Sequence, residues 1–220
     1  MRKEKGSNKV IQVLIISDVF FWFAWGLLGP IFPIFIMNNI KGGTPFVVGI
    51  AASIFLITRS LLRVPLGIFL DKCISEKDDY FVLVIGIFIS SLIPFGYAMA
   101  TLPWHLYFLQ GINGIGMSMV LAGWSAIFTR HINKGKEATQ WGIDSMAVGL
   151  SAGIMGAVGG WLVTKYGFTL IFIIAGTAGL LSSVVLLGLK NEIKGVFDNG
   201  ITNINLKNIF DWREKERESK

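Results

Sequence analysis

The chain has 220 residues, 53% of them hydrophobic and 15% charged, with a formal net charge of +6. Soluble domains carry about 25% charged residues, so this composition suits a chain whose solvent is lipid. The charges cluster between long apolar runs without interleaved aromatics, which excludes a nucleic-acid surface and leaves the positive balance to set membrane orientation.

Crossing a hydrocarbon core of about 30 Å takes about 20 apolar residues in a helix. Residues 1–10 form a basic N-terminal segment with Arg2, Lys3, Lys5 and Lys9. The first span, 11–37, contains Asp18, Pro30 and Pro33 and is followed by no small-x-small site, unlike a cleaved signal peptide. A turn with Lys41 leads to the second span, 46–70, which contains Arg59 and Arg63. A loop with Lys72 and Lys77 leads to the third, 80–100, and a short turn at Thr101 and Pro103 to the fourth, 104–128. Arg130, Lys134 and Lys136 precede the fifth span, 141–163; Lys165 and Gly167 separate it from the sixth, 168–189. Residues 191–220 carry balanced acidic and basic residues and read as a solvated tail. The chain therefore divides into an N-terminal segment, a six-span unit over 11–190, and a tail over 191–220. All spans are expected to be α-helical.

Short loops rich in Lys and Arg stay in the cytoplasm. The N-terminus, the second and fourth loops and the tail hold nearly all the basic residues, against only Lys41 and Lys165 on the other side. Both ends are expected in the cytoplasm, in a multi-pass protein of the cell membrane.

A shift of 93 positions lays Gly67, Asp71 and Lys72 over Gly160, Thr164 and Lys165, and Ile34-Phe35 over Ile127-Phe128. Three spans is an odd number, so the triplets run in opposite directions through the bilayer. Inverted repeats of this kind are a feature of transporters.

Several segments resemble the N-terminal six-helix half of the major facilitator superfamily. Gly26-Leu-Leu-Gly-Pro30-Ile-Phe-Pro33-Ile-Phe35 is similar to that family's first helix, and Pro65-Leu-Gly67-Ile-Phe-Leu-Asp71-Lys72 to its loop 2–3 signature. Ile74, Ser75 and Glu76 stand where the signature has its second glycine and basic pair. Leu109-Gln110-Gly111 is similar to a fourth-helix motif, with Tyr107 in place of its arginine. Gly149, Gly153, Gly156, Gly159 and Gly160 resemble the glycine-rich fifth helix, with Met155-Gly156 in place of the antiporter Gly-Pro.

The resemblance implies a six-helix bundle of two inverted three-helix repeats, working by alternating access on a small-molecule or ion substrate. It implies that spans one and four line a cavity, two and five face a second half, and three and six face lipid. Gly67, Asp71, Lys72 and Arg130 are then the loop 2–3 gate, with Asp71 near a helix end of the second half or paired with Arg130. Gly149, Gly153, Gly156 and Gly160 would form the helix-packing face toward that half. The missing arginine and proline leave proton antiport outside what the resemblance implies.

Four ionisable residues fall inside the spans, where a charge costs about 2.5–3.5 kcal/mol and marks a functional candidate. Asp18 and Arg63 lie about 10 Å and about 12 Å from the same membrane face, at a level where they are expected to pair. Arg59 is one turn deeper on the face of Arg63. One reading gives Asp18 a proton, a cation or a gate and Arg59 an anionic or polar group of the solute. The other makes Asp18–Arg63 a buried pair that only fixes packing. Asp144 reads as a first-turn acid of the fifth span, stabilised by the helix dipole. Gln110 and Asn113 are candidates to line the cavity, as are Trp22 and Trp25 of the first span.

Other chemistry finds no support. Gly149-Leu-Ser151-Ala-Gly153 has a hydrolase spacing, but His105 and His131 lie at helix ends and supply no base beside it. There is no phosphate-binding G-x-x-x-x-G-K-[ST] loop, and a single Cys73 builds no thiolate metal site. No catalytic residue, metal or cofactor is assigned. The expected function is secondary transport by a half-size permease, as a parallel homodimer or with a separate second half, and the lipid bilayer as the other partner. A six-span scaffold or an inactive remnant of a longer transporter is the competing reading.

Overall fold

A computed structural model describes residues 5–73 and 76–189 of the chain, with side chains from Lys9 onward. The tail over 191–220 and the departures at Ile74 and Ser75 lie outside the described residues. The helices are α1 (Lys5–Leu28), α2 (Phe32–Asn39), α3 (Pro45–Lys72), α4 (Glu76–Met99), α5 (Pro103–His131), α6 (Glu137–Tyr166) and α7 (Phe168–Leu186), the last followed by a 3-10 turn, Leu187–Leu189. Among the described residues six segments are long and apolar enough to cross a membrane, with α1 and α2 together making the first.

Local chemistry sets the boundaries. The first span breaks at Gly29, Pro30 and Ile31 because Pro30 and Pro33 have no N–H to donate. Backbone bonds from Gly29 N to Trp25 O and from Phe35 N to Ile31 O carry the chain across. The Thr44 hydroxyl caps α3 by accepting from Val47 N at 3.3 Å, ahead of Pro45 at its first position. His105 caps α5: its Nδ1 accepts from Thr101 N and Leu102 N at 3.2 and 3.3 Å. Gly167, at φ 77°, ends α6 and starts α7 in a turn that side chains disfavour.

The packing carries the inverted repeat. α1 lies on α6 and α7, while α5 lies on α3 and α4; α4 meets α7, and α1 meets α5. Exchanging the triplet α1–α2, α3, α4 with the triplet α5, α6, α7 leaves these pairings unchanged. The residues matched by the 93-position shift behave alike. Phe35 and Phe128 are buried in two separate apolar clusters. Phe35 packs edge-on to Phe172, with ring centres 4.8 Å apart. Phe128 stacks on Trp124 at 4.4 Å and meets Trp141 at 4.7 Å.

Without a hydrophobic drive between helices in lipid, close approach depends on small residues. A Cβ on Gly159 would lie 2.5 Å from Leu27 O, and one on Gly26 would lie 2.6 Å from the Ala152 Cα. These contacts hold α1 against α6. The glycine face expected to meet a second half is separate from this contact: a Cβ on Gly149, Gly153 or Gly160 would meet nothing within 4 Å among the described residues, and one on Gly156 would lie near Pro30 and the backbone of Gly26. Gly159, on the next face, makes the intrachain contact. Replacing Gly159 with Val is expected to destabilise the bundle by about 1–3 kcal/mol in chemical or thermal unfolding, while Gly153→Ala leaves stability near wild type.

Candidate functional site

The intramembrane charges fall into two groups on opposite sides of the bundle. Asp18 on α1 and Asp144 on α6 are both 7% exposed. Asp144 is the charged group that acts on Asp18 across the α1–α6 contact. Polar contacts on both sides fix the backbone around Asp18. The Ser17 hydroxyl meets the Ser182 hydroxyl of α7 at 2.8 Å, and Ser182 Oγ donates to Ser17 O at 2.8 Å. Ser151 Oγ of α6 donates to Val19 O at 2.9 Å. Asp144 Oδ1 is buried without a hydrogen-bond partner among the described residues.

Two sequence expectations are corrected here. Asp18 does not pair with Arg63, because α1 packs on α6 and α7 while α3 packs on α5. Adjacency in sequence suggests adjacency in space, but the interleaving of the two triplets separates the first two spans. Asp144 is not in the first turn either, since α6 begins at Glu137 and places this acid deeper, against α1.

The second group is cationic. Arg63 is exposed on α3, and Arg59 is half-buried with its guanidinium carbon 5.2 Å from the centre of the Phe55 ring. Neither makes an ion pair among the described residues. Gln110 and Asn113 are buried in α5, where Gln110 Oε1 and Asn113 Oδ1 lack hydrogen-bond partners among the described residues. Trp22 and Trp25 are half-buried and meet Phe21 edge-on, at 6.1 and 6.4 Å between ring centres.

At the membrane face bearing the Asp71 loop, Arg130 forms its ion pair with Asp79, at 2.5 Å, and not with Asp71. The tight α4–α5 crossing determines this: a Cβ on Gly123 would lie 2.7 Å from Asp79 O, so the first turn of α4 sits beside the last turns of α5. His131 Nε2 lies 3.3 Å from Glu76 Oε2 in the same crossing. Asp71 and Lys72 are exposed at the end of α3, and Gly67 has open space around it. Sequence reasoning passes over Asp79. Its signal is the acidic start of α4 (Glu76, Asp78, Asp79) opposite the basic end of α5 (Arg130, His131).

Burial pushes the Cys73 thiol up to about 11, assisted by the charge of Asp78 and by a hydrogen bond to it. Cys73 is therefore a neutral thiol at pH 7. Its maleimide labelling is expected to be slow there and to accelerate toward pH 11, with Asp78→Asn moving the acceleration to lower pH. Arg130→Gln leaves the fully buried Asp79 without its cation and is expected to cost about 3–5 kcal/mol of stability. Adding Asp79→Asn to that variant is expected to recover most of the loss in unfolding measurements.

No curated protein matches the chain. The model of the Major Facilitator Superfamily matches residues 14–210, nearly the whole of the bundle and the first part of the tail. With six membrane-capable helices in two inverted triplets, the chain belongs to the Major Facilitator Superfamily, a family of membrane transporters.

Proposed function

We propose that the chain is a secondary active transporter that moves a small solute by alternating access, its six-helix unit rocking against a second unit of the same orientation. The observation that carries this reading is the free surface of the two outer helices. α3 and α6 correspond to each other in the repeat and are largely unburied within the unit. Each divides its exposed surface into two stripes. On α6, Ile143, Leu150, Ile154 and Trp161 form an apolar stripe, beside small residues at Gly142, Ser145, Gly149, Gly153 and Gly160. On α3, Ile57, Leu61, Val64 and Ile68 form an apolar stripe, beside a mainly small and polar one of Gly49, Ser53, Ser60, Arg63 and Gly67 that also carries Leu56.

Lipid suits the apolar stripes. The small and polar stripes suit a second helical unit and a path between the two units. A second copy inserted in parallel supplies such a unit, its α6 facing this copy's α3, and a separate second half would serve equally. The distribution of Lys and Arg supports cytoplasmic termini for each unit and a place in the cell membrane. Asp18 and Asp144, buried in the α1–α6 contact, are the candidates for coupling a cation gradient to this motion.

The reading is tested with Ser60→Cys and Gly153→Cys together in a Cys73→Ser background, reconstituted alone in proteoliposomes. The expected result is a crosslink between two copies and solute uptake, from a panel of sugars, amino acids and organic acids, that stops when the crosslink forms. Absence of both the crosslink and any uptake contradicts the proposal.

A further inference from the structure

Arg59 and Arg63 stand out because no ion pair among the described residues answers their charge. Arg59 is midway along α3, so it sits near the centre of the hydrocarbon, and Arg63 follows one turn later on an adjoining part of the same face. The helix carries one acid, Asp71, at its far end, and α5, on which α3 packs, carries none. The buried acids of the unit, Asp18 and Asp144, lie in the α1–α6 contact, and α1 and α6 are not the helices that pack against α3. Arg63 lies in the polar stripe and Arg59 beside it, away from the apolar stripe of Ile57, Leu61, Val64 and Ile68. The Phe55 ring below the Arg59 guanidinium orients it without neutralising it.

We infer that Arg59 and Arg63 form an anion-binding pair, and that the transported solute carries a carboxylate or phosphate group held by the two guanidinium forks. This assignment rests on the transport reading above and names the chemistry of its solute. Guanidinium presents a planar row of donors that matches two oxygens of such a group, which a lysine ammonium does not. Two such forks one helical turn apart grip opposite edges of one oxyanion, and the half-buried Arg59 keeps the site partly dry. Lipid phosphates lie about 15 Å from the bilayer centre, too far for the Arg59 fork. The repeat places Ala152 and Gly156 of α6 at the positions equivalent to Arg59 and Arg63. The cationic pair is therefore an addition to one triplet that the common bundle does not require.

The test uses the full chain in phosphatidylcholine nanodiscs, with inorganic phosphate and succinate added in turn and chloride holding the ionic strength constant. At least one anion is expected to raise the melting temperature saturably and to protect Arg59 and Arg63 from phenylglyoxal, as located by peptide mass spectrometry. Arg59→Gln and Arg63→Gln are each expected to weaken that anion's apparent affinity by about 30-fold, while Lys165→Gln at the other membrane face leaves it unchanged. The protection measurement reads the wild-type chain and so does not depend on a variant folding. The inference is overturned if neither anion shifts melting or protects the pair, or if the double glutamine variant responds as wild type does. It is also overturned if phosphatidylglycerol in the disc protects the pair against phenylglyoxal and free anion does not. Binding is measured without a gradient, so a chain that binds anions but moves none contradicts the transport reading alone.

Discussion

Hydrocarbon offers no counter-ion and no hydrogen bond, so every polar group carried into it must be answered by another group of the protein or of what it binds. The backbone meets this constraint by being helical nearly throughout the described residues. Ser17, Ser151 and Ser182 meet it by bonding across helices or to backbone carbonyls. Asp79 meets it with Arg130 where α4 crosses α5. Several buried groups among the described residues do not meet it, Gln110, Asn113 and Asp144 among them, and Arg59 and Arg63 have no ion pair there. In the proposed function the facing acids Asp18 and Asp144 and the cations Arg59 and Arg63 are the candidates for the working part of the molecule.

The inverted repeat explains why the acids and the cations are kept apart. Each triplet sends its first helix into the centre of the bundle and its second to the outside, packed on the other triplet's first helix. α1 therefore holds α6, and α5 holds α3. Asp18 and Asp144 share one of these contacts. The equivalent positions in the other are Gly111 and Ala51, small residues without charge. Sequence divergence between the triplets has thus put acids in one central contact and cations on the opposite outer helix, while the common scaffold kept both copies of the fold alike.

Much of the fold can be read from residues alone, because the spans, their turns and the triplet relation leave their mark in hydropathy and in a fixed 93-residue offset. Phe35 and Phe128 show this well: matched by the offset, they anchor corresponding aromatic clusters. The pairings inside the bundle are less legible. The sequence places Asp18 and Arg63 at one depth, but depth does not say which helices touch, and the interleaving of triplets sends them to different neighbours. Asp144 and Asp79 are undervalued for a related reason. An acid near a helix start reads as a response to the helix dipole, and only the opposing helix reveals Asp18 or Arg130 across from it. The glycines of α6 are legible in part, since the spacing of Gly149, Gly153, Gly156 and Gly160 describes a close-packing stripe but does not reveal the separate contact of α6 with α1. The tightest contacts with α1 are made by Gly159 against Leu27 and by Ala152 against Gly26, residues outside that series.

The central claim is that the two exposed stripes of α3 meet different surroundings, one facing lipid and one facing a water-accessible path between six-helix units. It is tested most directly by thiol accessibility in a Cys73→Ser background, comparing Arg63→Cys on the polar stripe with its neighbour Val64→Cys on the apolar stripe. With a membrane-impermeant, water-soluble methanethiosulfonate reagent on intact proteoliposomes, the cysteine at 63 should react readily and the one at 64 should stay unmodified. Equal reactivity at both positions, or none at either, would contradict the account.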